Sequence, residues 1–564
     1  METPFALEAL VDFPDDALTL TQPITPKRID AMMARLAALG VQTVIWAYYG
    51  DGHGSYLIPA GFDEPDTHWG NYAATCKLLG NPLQVAAEAA HRHGLKIHAY
   101  YKPYETGPAG LLPEGSPEAK QWGRLGQIGG QLFWLDPFVV KHPQLRIRRR
   151  MDDAPSGKLA APISGIRLVK RDASPTRISK DHLQIWTSDS NYRYERRDVA
   201  FQFSDAVVPA THDVRDWVGA LLTRKGDPVR VLTLSGLHLT DRYVLLTTDF
   251  TNGTPDFVNS GTELMVALDA EGREIPGVFA DGGAIWTSGL IDFRNQGLAF
   301  DLGFTRKPMT LDAPNASGKR GLIAFARGRN EYLPGALCET EPAVQRFWLS
   351  CIREMLDAGV DGVDFREENH STHTDYPVEY GFNTVVMKQL KGASGPGLTA
   401  EIARVRGGAY TTFLRKAKRL IASHGKRMRI NLNVDYFRPD PPLNRLLAYP
   451  ANIAFDWHKW VEDGLLDEAV IRIFALPFDA IFTDPVAQDM VARCRKRGIP
   501  IVVNRYLQPR DQYLAEFRRV REDGRFSSFI LYETASFLAF GPDDTCRVTA
   551  PVVEEISRLT PRGK

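Results

Sequence analysis

Apolar positions along this chain fall into two rhythms. KRIDAMMARLAALG, residues 27 to 40, spaces its apolar residues at helical intervals and closes on Gly40, a residue suited to a helix end. VQTVIWAYYG follows, rich in β-branched and aromatic residues, and reads as a strand. NPLQVAAEAAHRHG and then LKIHAYYKPYETG repeat the pair. Helix, glycine, strand is the signature of βα units and a parallel sheet. Near residue 150 the texture changes. HLQIWTSDS, VRVLTLSGLHL, RYVLLTTDF, TELMVALDAEGREI and QGLAFDLGF predict short strands between turn residues, with no long helix from about 160 to 315. The first rhythm returns after residue 320 with EPAVQRFWLSCIREMLDAG and VDGVDFR, and continues to the closing helix VVEEISRL.

Counting EALVDF as the first strand gives eight: 8–13, 43–49, 96–103, 360–366, 428–434, 468–474, 500–505 and 527–533. Eight βα units closing on themselves predict a (β/α)8 TIM barrel, an α/β fold, although an open doubly wound sheet shares the rhythm. The expected organisation is strands one to three in residues 1–155, an inserted all-β, sandwich-like domain in 156–318, and strands four to eight in 319–564.

Composition narrows the function classes. The 564 residues carry 68 basic and 68 acidic side chains, so no global field draws the chain to nucleic acid or an anionic membrane. Five scattered cysteines never form a C-x-x-C pair, which predicts neither a disulfide framework nor a zinc–thiolate site. No basic-then-apolar leader and no transmembrane-length apolar run is read, so a cytoplasmic location is expected, a trimmed leader being the alternative. A homo-oligomer stays open, and no cofactor is expected.

In a TIM barrel, function collects at the C-terminal strand ends. Strand two ends in Trp46, Tyr48 and Tyr49 and runs into Asp51 and His53. Strand three ends in Tyr100, Tyr101, Lys102, Tyr104 and Glu105. GVDGVDFREENHSTHTD supplies Asp364, Arg366, Glu367, Glu368, Asn369 and His370 at strand four. Strand five carries Asn431, Asn433, Asp435 and Tyr436, followed by Asp456, Trp457, His458 and Trp460. Strand seven adds Asn504, Arg505 and Tyr506, and strand eight Tyr532 and Glu533. Aromatic faces stack on the C–H faces of a pyranose, while carboxylates, amides and guanidiniums answer its hydroxyls. Any single aromatic here is more simply core packing; the agreement of many strand ends points to a carbohydrate substrate.

GVDGVDFREENHS, the EYGFN of residues 379–383 and DWHKWVEDGLLDEAVI, with YYGDGHGSY and AAHRHGLKIHAYYKPYE, resemble the family-10-like hypothetical glycosyl hydrolases. The resemblance covers the two barrel portions and not the β insertion. It implies glycosidase chemistry on a poly- or oligosaccharide. Strand four is also similar to the α-amylase-type strand, whose Arg-x-acid ends in the nucleophile; here the glycines are spaced differently and the acid is Glu368.

Residues i and i+2 of a strand share a face, so Asp364, Arg366 and Glu368 should line the axis, with Arg366 keeping both acids ionised. Glu368 or Asp364 is then the expected nucleophile or base. A second carboxyl must act as acid. Asp435 is the first candidate and Glu533 the second; a salt bridge or cap is the plainer role for each. Glu379 is expected to hydrogen-bond a sugar or to brace Arg366. HSTHTD also admits a metal-dependent hydrolase through His370, His373 and Asp375, and a non-catalytic carbohydrate-binding barrel is a further alternative. Trp186, Tyr192, Tyr194 and Trp286 are stacking candidates in the β insertion, where isolated aromatics are usually core.

Overall fold

A computed structural model describes residues 5–13, 22–49, 68–105, 109–112, 130–133, 138–139, 142–150, 161–170, 172–188, 195–215, 221–241, 243–248, 257–258, 265–281, 284–285, 322–327, 332–368, 377–390, 395–438 and 450–560. Eight parallel strands form a closed barrel: β1 Ala6–Val11, β2 Val41–Tyr49, β3 Lys96–Tyr101, β4 Gly362–Phe365, β5 Arg427–Asn433, β6 Glu468–Arg472, β7 Ile501–Tyr506 and β8 Ser528–Tyr532. β8 pairs back onto β1 through Ala6–Ser528 to Ala9–Leu531. All eight coincide with the expected strands, and the closed barrel is that of a TIM barrel.

Four of the described helices outside the barrel begin at a side-chain cap, from Thr25, Asn81, Asp456 and Asp484. Thr25 Oγ1 accepts from Arg28 N at 3.1 Å ahead of α1, Pro26–Ala38, and Pro26 fills the first turn, where an N–H is not needed. Gly40, at φ +79°, then turns the chain into β2 without the strain a Cβ would bring. No described helix is long and apolar enough to cross a membrane.

Strand alternation divides the barrel into two environments. Val11, Val44, Trp46, Ile97, Val363, Phe365, Ile430, Leu432, Ile471, Val503, Phe529 and Leu531 point outward into the layer shared with the helices. Leu10, Ile45, Ala47, Tyr100, Val470, Val502, Ile530 and Tyr532 form a separate cluster on the axis. Polar side chains occupy the remaining axial positions.

Between β3 and β4 the chain builds antiparallel sheets. One has four strands in the order Gln202–Pro209, Pro228–Leu239, Ile163–Lys170 and Met265–Leu268. The other has five, in the order Val278–Asp281, Leu322–Arg327, Tyr243–Thr248, Leu183–Ser188 and Glu195–Arg197. Ile166, Leu168, Leu232 and Leu234 of the first share an apolar cluster with Ile185, Val244 and Leu246 of the second. Trp186 points the other way and is buried in the barrel's own cluster, so it is packing. Leu322–Arg327 carries this sheet past residue 318. Tyr192, Tyr194 and Trp286 lie outside the described residues.

Candidate active site

The axial residues stack in layers from the N-terminal end of the strands upward. At the bottom Arg429 of β5 donates to Glu8 of β1 (Nη1 to Oε2, 2.6 Å) and to Glu468 of β6 (Nη2 to Oε2, 2.7 Å). Ser528 of β8 donates to Glu8 Oε1 at 2.6 Å. One buried guanidinium thus ties four strands together. His98 of β3 is buried here, and burial together with Arg429 holds its pKa well below the ordinary value, so it is neutral.

One layer up, Asp364 of β4 accepts from Asn431 Nδ2 and lies 3.6 Å from Arg429 Nη1. Burial raises its pKa, and Arg429 and Asn431 only partly offset that, leaving it at about 7. The expectation that Arg366 keeps Asp364 ionised therefore fails. Arg366 turns to the mouth, and Asp364 is left with a more distant cation.

At the mouth, Arg366 Nε donates to Glu368 Oε1 at 2.5 Å, and Arg472 Nη1 of β6 reaches the same oxygen at 3.1 Å. Both guanidiniums also donate to the Tyr532 hydroxyl, Arg472 Nη2 at 3.1 Å. Burial on its own would raise the pKa of Glu368, but the two arginines outweigh it and hold the carboxyl below its usual range. Arg366 lies over the rings of Tyr100 and Tyr532 at 5.2 and 5.8 Å, and Arg472 over Phe474 and Tyr532 at 4.1 and 4.6 Å. Tyr506 packs edge-on against Tyr532 at 4.3 Å. The result is a buried, ionised carboxylate held by two arginines that themselves lie against aromatic rings. Such a group attacks or accepts a proton; it does not deliver one.

Asp435 follows β5. Its Oδ2 accepts from the backbone N–H groups of Phe474 and Ala475, the latter at 3.0 Å, and its Oδ1 from Leu476 N at 3.0 Å. Burial raises its pKa against these three bonds. The carboxyl braces the turn after β6, and a proton on either oxygen would weaken an N–H bond. Glu533, directly after β8, has φ +61°, a conformation unusual for a residue with a Cβ.

The other expected site residues divide by strand face. Asn431 and Asn433 face the axis, and Asn433 Oδ1 accepts from Asp435 N at 2.9 Å. Asn504 is buried on β7. Lys102 is fully buried and pairs with Glu105 at 3.1 Å. Trp46 points outward and stacks on Phe13 at 4.9 Å, and Tyr101 packs edge-on against Phe365 at 5.8 Å in the same outer layer. Glu367 also points outward, where Tyr410 donates to it at 3.0 Å; burial, then the neighbouring Glu368, raise its pKa well above the ordinary value. Arg505 pairs with Glu516 through two bonds of 2.7 and 2.8 Å on the helix side. Asp456 caps the helix Trp457–Glu462 by accepting from Lys459 N at 3.1 Å, and Trp457 is buried beneath it. Glu379 accepts from Arg149 at 2.6 Å, not from Arg366.

Asp51, His53, Asn369, His370, His373 and Asp375 lie outside the described residues, as do the side chains of Tyr48 and Tyr49. Among the described residues no three His, Cys, Asp or Glu side chains are placed to hold a metal ion. Arg472 is the principal functional candidate that sequence reading did not select; Tyr532 was read at the end of strand eight, but not as its partner. Arg472 was visible as a lone cation in the apolar run AVIRIF, a position that demands a buried partner.

No family model matches this chain, and no curated protein matches it. Among solved structures it is similar to the catalytic domain of β-amylase from Paenibacillus polymyxa, with 9% identity over 100% of both chains and a TM-score of 0.40. It is also similar to the glycoside hydrolase domain of PelA from Pseudomonas aeruginosa, at 17% identity, 36% of this chain and a TM-score of 0.21. The chain spans 64% of the length of that domain. A GH18 chitinase from Pseudoalteromonas aurantia matches at 8% identity over 40% of this chain and 73% of its own, with a TM-score of 0.21.

Proposed function

We propose that this chain is a glycoside hydrolase acting on an oligo- or polysaccharide, with the β3–β4 excursion forming an inserted β-sandwich domain. One observation carries the reading: Glu368, at the C-terminal end of a barrel strand, is held below its usual pKa by Arg366 and Arg472, whose guanidiniums lie against Tyr100, Phe474 and Tyr532. Glu368 is the nucleophile or base. Glu533 is better supported than Asp435 as the acid, because both Asp435 oxygens serve backbone N–H groups. Asp364, one layer deeper, bonds Asn431 and is not assigned to the chemistry. The reading agrees with the resemblance to family-10-like glycosyl hydrolases.

The test is turnover of a panel of aryl glycosides and polysaccharides by the wild type and by Glu368→Gln. Activity lost in the variant, with folding intact by circular dichroism, supports the assignment. Equal turnover removes Glu368 from the chemistry. Saccharide binding with no turnover on any substrate would instead make this a carbohydrate-binding barrel.

A further inference from the structure

Arg366 and Arg472 reach Glu368 from two strands, and both also donate to one oxygen on a third. Arg366 of β4 sends Nε to Glu368 Oε1 at 2.5 Å and Nη1 to the Tyr532 hydroxyl. Arg472 of β6 sets Nη1 3.1 Å from the same Oε1 and donates Nη2 to the same hydroxyl at 3.1 Å. Carboxylate, guanidinium, phenol and guanidinium thus close a ring. It crosses the mouth, because β8 stands opposite β4 in the eight-strand order.

The hydroxyl is the part of this ring that the arginines lack elsewhere. It receives the one hydrogen bond that the Arg472 side chain makes among the described residues: Nε has no acceptor, and Nη1 meets Glu368 as an ion pair. Arg366 has no polar side-chain partner among the described residues besides Glu368 and Tyr532. All four side chains are buried. A buried donor that loses its acceptor is costly, so without the hydroxyl each guanidinium turns toward another oxygen and loosens its hold on Glu368. Tyr532 makes no hydrogen bond to Glu368 itself, so its influence on that carboxyl passes through the arginines.

Resting on the reading of Glu368 as nucleophile or base, we infer that Tyr532 is a positioning residue for the reaction: its hydroxyl locks two guanidiniums onto Glu368 and so fixes the carboxylate that attacks or takes the proton.

The experiment compares the wild type with Tyr532→Phe, which keeps the ring under both guanidiniums and removes only the hydroxyl. The arginines hold the Glu368 carboxyl below its usual range, and loosened arginines let it rise. In the pH profile of kcat/KM on a substrate from the panel above, the acid limb of the variant should sit about one unit higher, a tenfold change in proton affinity. Glu367, Asp435, Tyr436, Tyr506 and Glu533 also titrate around the ring, so a second readout isolates Glu368. A carboxyl depressed by folding contributes stability above its ordinary value of 4.5 and loses it as pH falls through the folded value. The drop in urea midpoint caused by Glu368→Gln should therefore grow between about pH 3 and about pH 6, and grow less when residue 532 is Phe.

An acid limb and a pH-dependent Glu368→Gln penalty that Tyr532→Phe leaves unmoved, with only a lower unfolding midpoint, overturn the inference and make the hydroxyl structural. A limb that moves down overturns it too. Should Tyr532→Phe not fold, 3-fluorotyrosine at position 532 keeps a hydroxyl that accepts more weakly; both readouts should move the same way by less, and no movement overturns the inference. A wild type with no turnover on any saccharide sinks the glycosidase reading, while the unfolding comparison still decides whether the hydroxyl governs Glu368.

Discussion

Replacing Asp364 with Asn should make the protein more stable, and increasingly so as pH rises. Displacing the carboxyl from 3.8 to about 7 makes its ionised form unfavourable in the folded barrel. At about 1.36 kcal/mol per pH unit, the full penalty is about 4 kcal/mol. Below the unfolded value, both states hold the proton and nothing is lost. Between 3.8 and about 7 the unfolded chain releases its proton while the folded one keeps it, so stability falls as pH rises; above 7 the full loss persists. Asn at this position has nearly the shape of protonated Asp and an oxygen to accept from Asn431, but nothing to ionise. Urea unfolding of both proteins at pH 5 and pH 8.5 isolates this residue by difference. The advantage of the variant should grow by about 3 kcal/mol between the two pH values. An advantage that is flat with pH, or that shrinks, would refute a buried proton on Asp364.

Other perturbations follow from the packing. A Cβ on Gly407, within the helix Pro396–Ser423, would sit 1.7 Å from the Ala454 carbonyl oxygen. Gly407→Ala should therefore lower stability by at least about 1–3 kcal/mol, read as a reduced unfolding midpoint. Arg406 donates to both oxygens of buried Glu339, at 2.7 and 2.9 Å. Arg406→Met should cost about 3–5 kcal/mol by stranding that carboxylate, and the added Glu339→Gln should restore part of it. Trp46→Ala should cost about 3–5 kcal/mol through the cavity beside Phe13. Saccharide affinity of its folded fraction, measured by calorimetry, should stay unchanged.

Seven of the eight barrel strands were legible because each is a short β-rich run after a helix that ends in glycine; β1 is the first element and had only its own apolar run. The site was legible only in part. Proximity to a strand end selected Trp46, Tyr101, Glu367 and Arg505, but these occupy the odd or even positions that face the helices. The same alternation, applied to every strand, would have singled out Arg472 and Tyr532 as partners of Arg366 and Glu368. Charges in mid-strand carried a similar signal: Glu8, Arg429 and Glu468 interrupt otherwise apolar runs because they bond one another across the axis. What sequence could not give was which cation reaches which acid. That depends on the height of each residue in the barrel, and so Asp364 looked fully ionised where burial raises its pKa to about 7.

β3 and β4 lie side by side, with Asp361 N donating to Ile97 O at 2.7 Å, although these residues stand 264 positions apart. A simple βα unit joins such strands with about 30 residues. In chain statistics the longer path is about three doublings of loop length, or about 2 kcal/mol of closure entropy. That is about the free energy of burying one leucine side chain. The barrel thus carries a large excursion at one seam for little thermodynamic penalty, and that seam is where the chain can lengthen, shorten or exchange material while the axial charges stay in register.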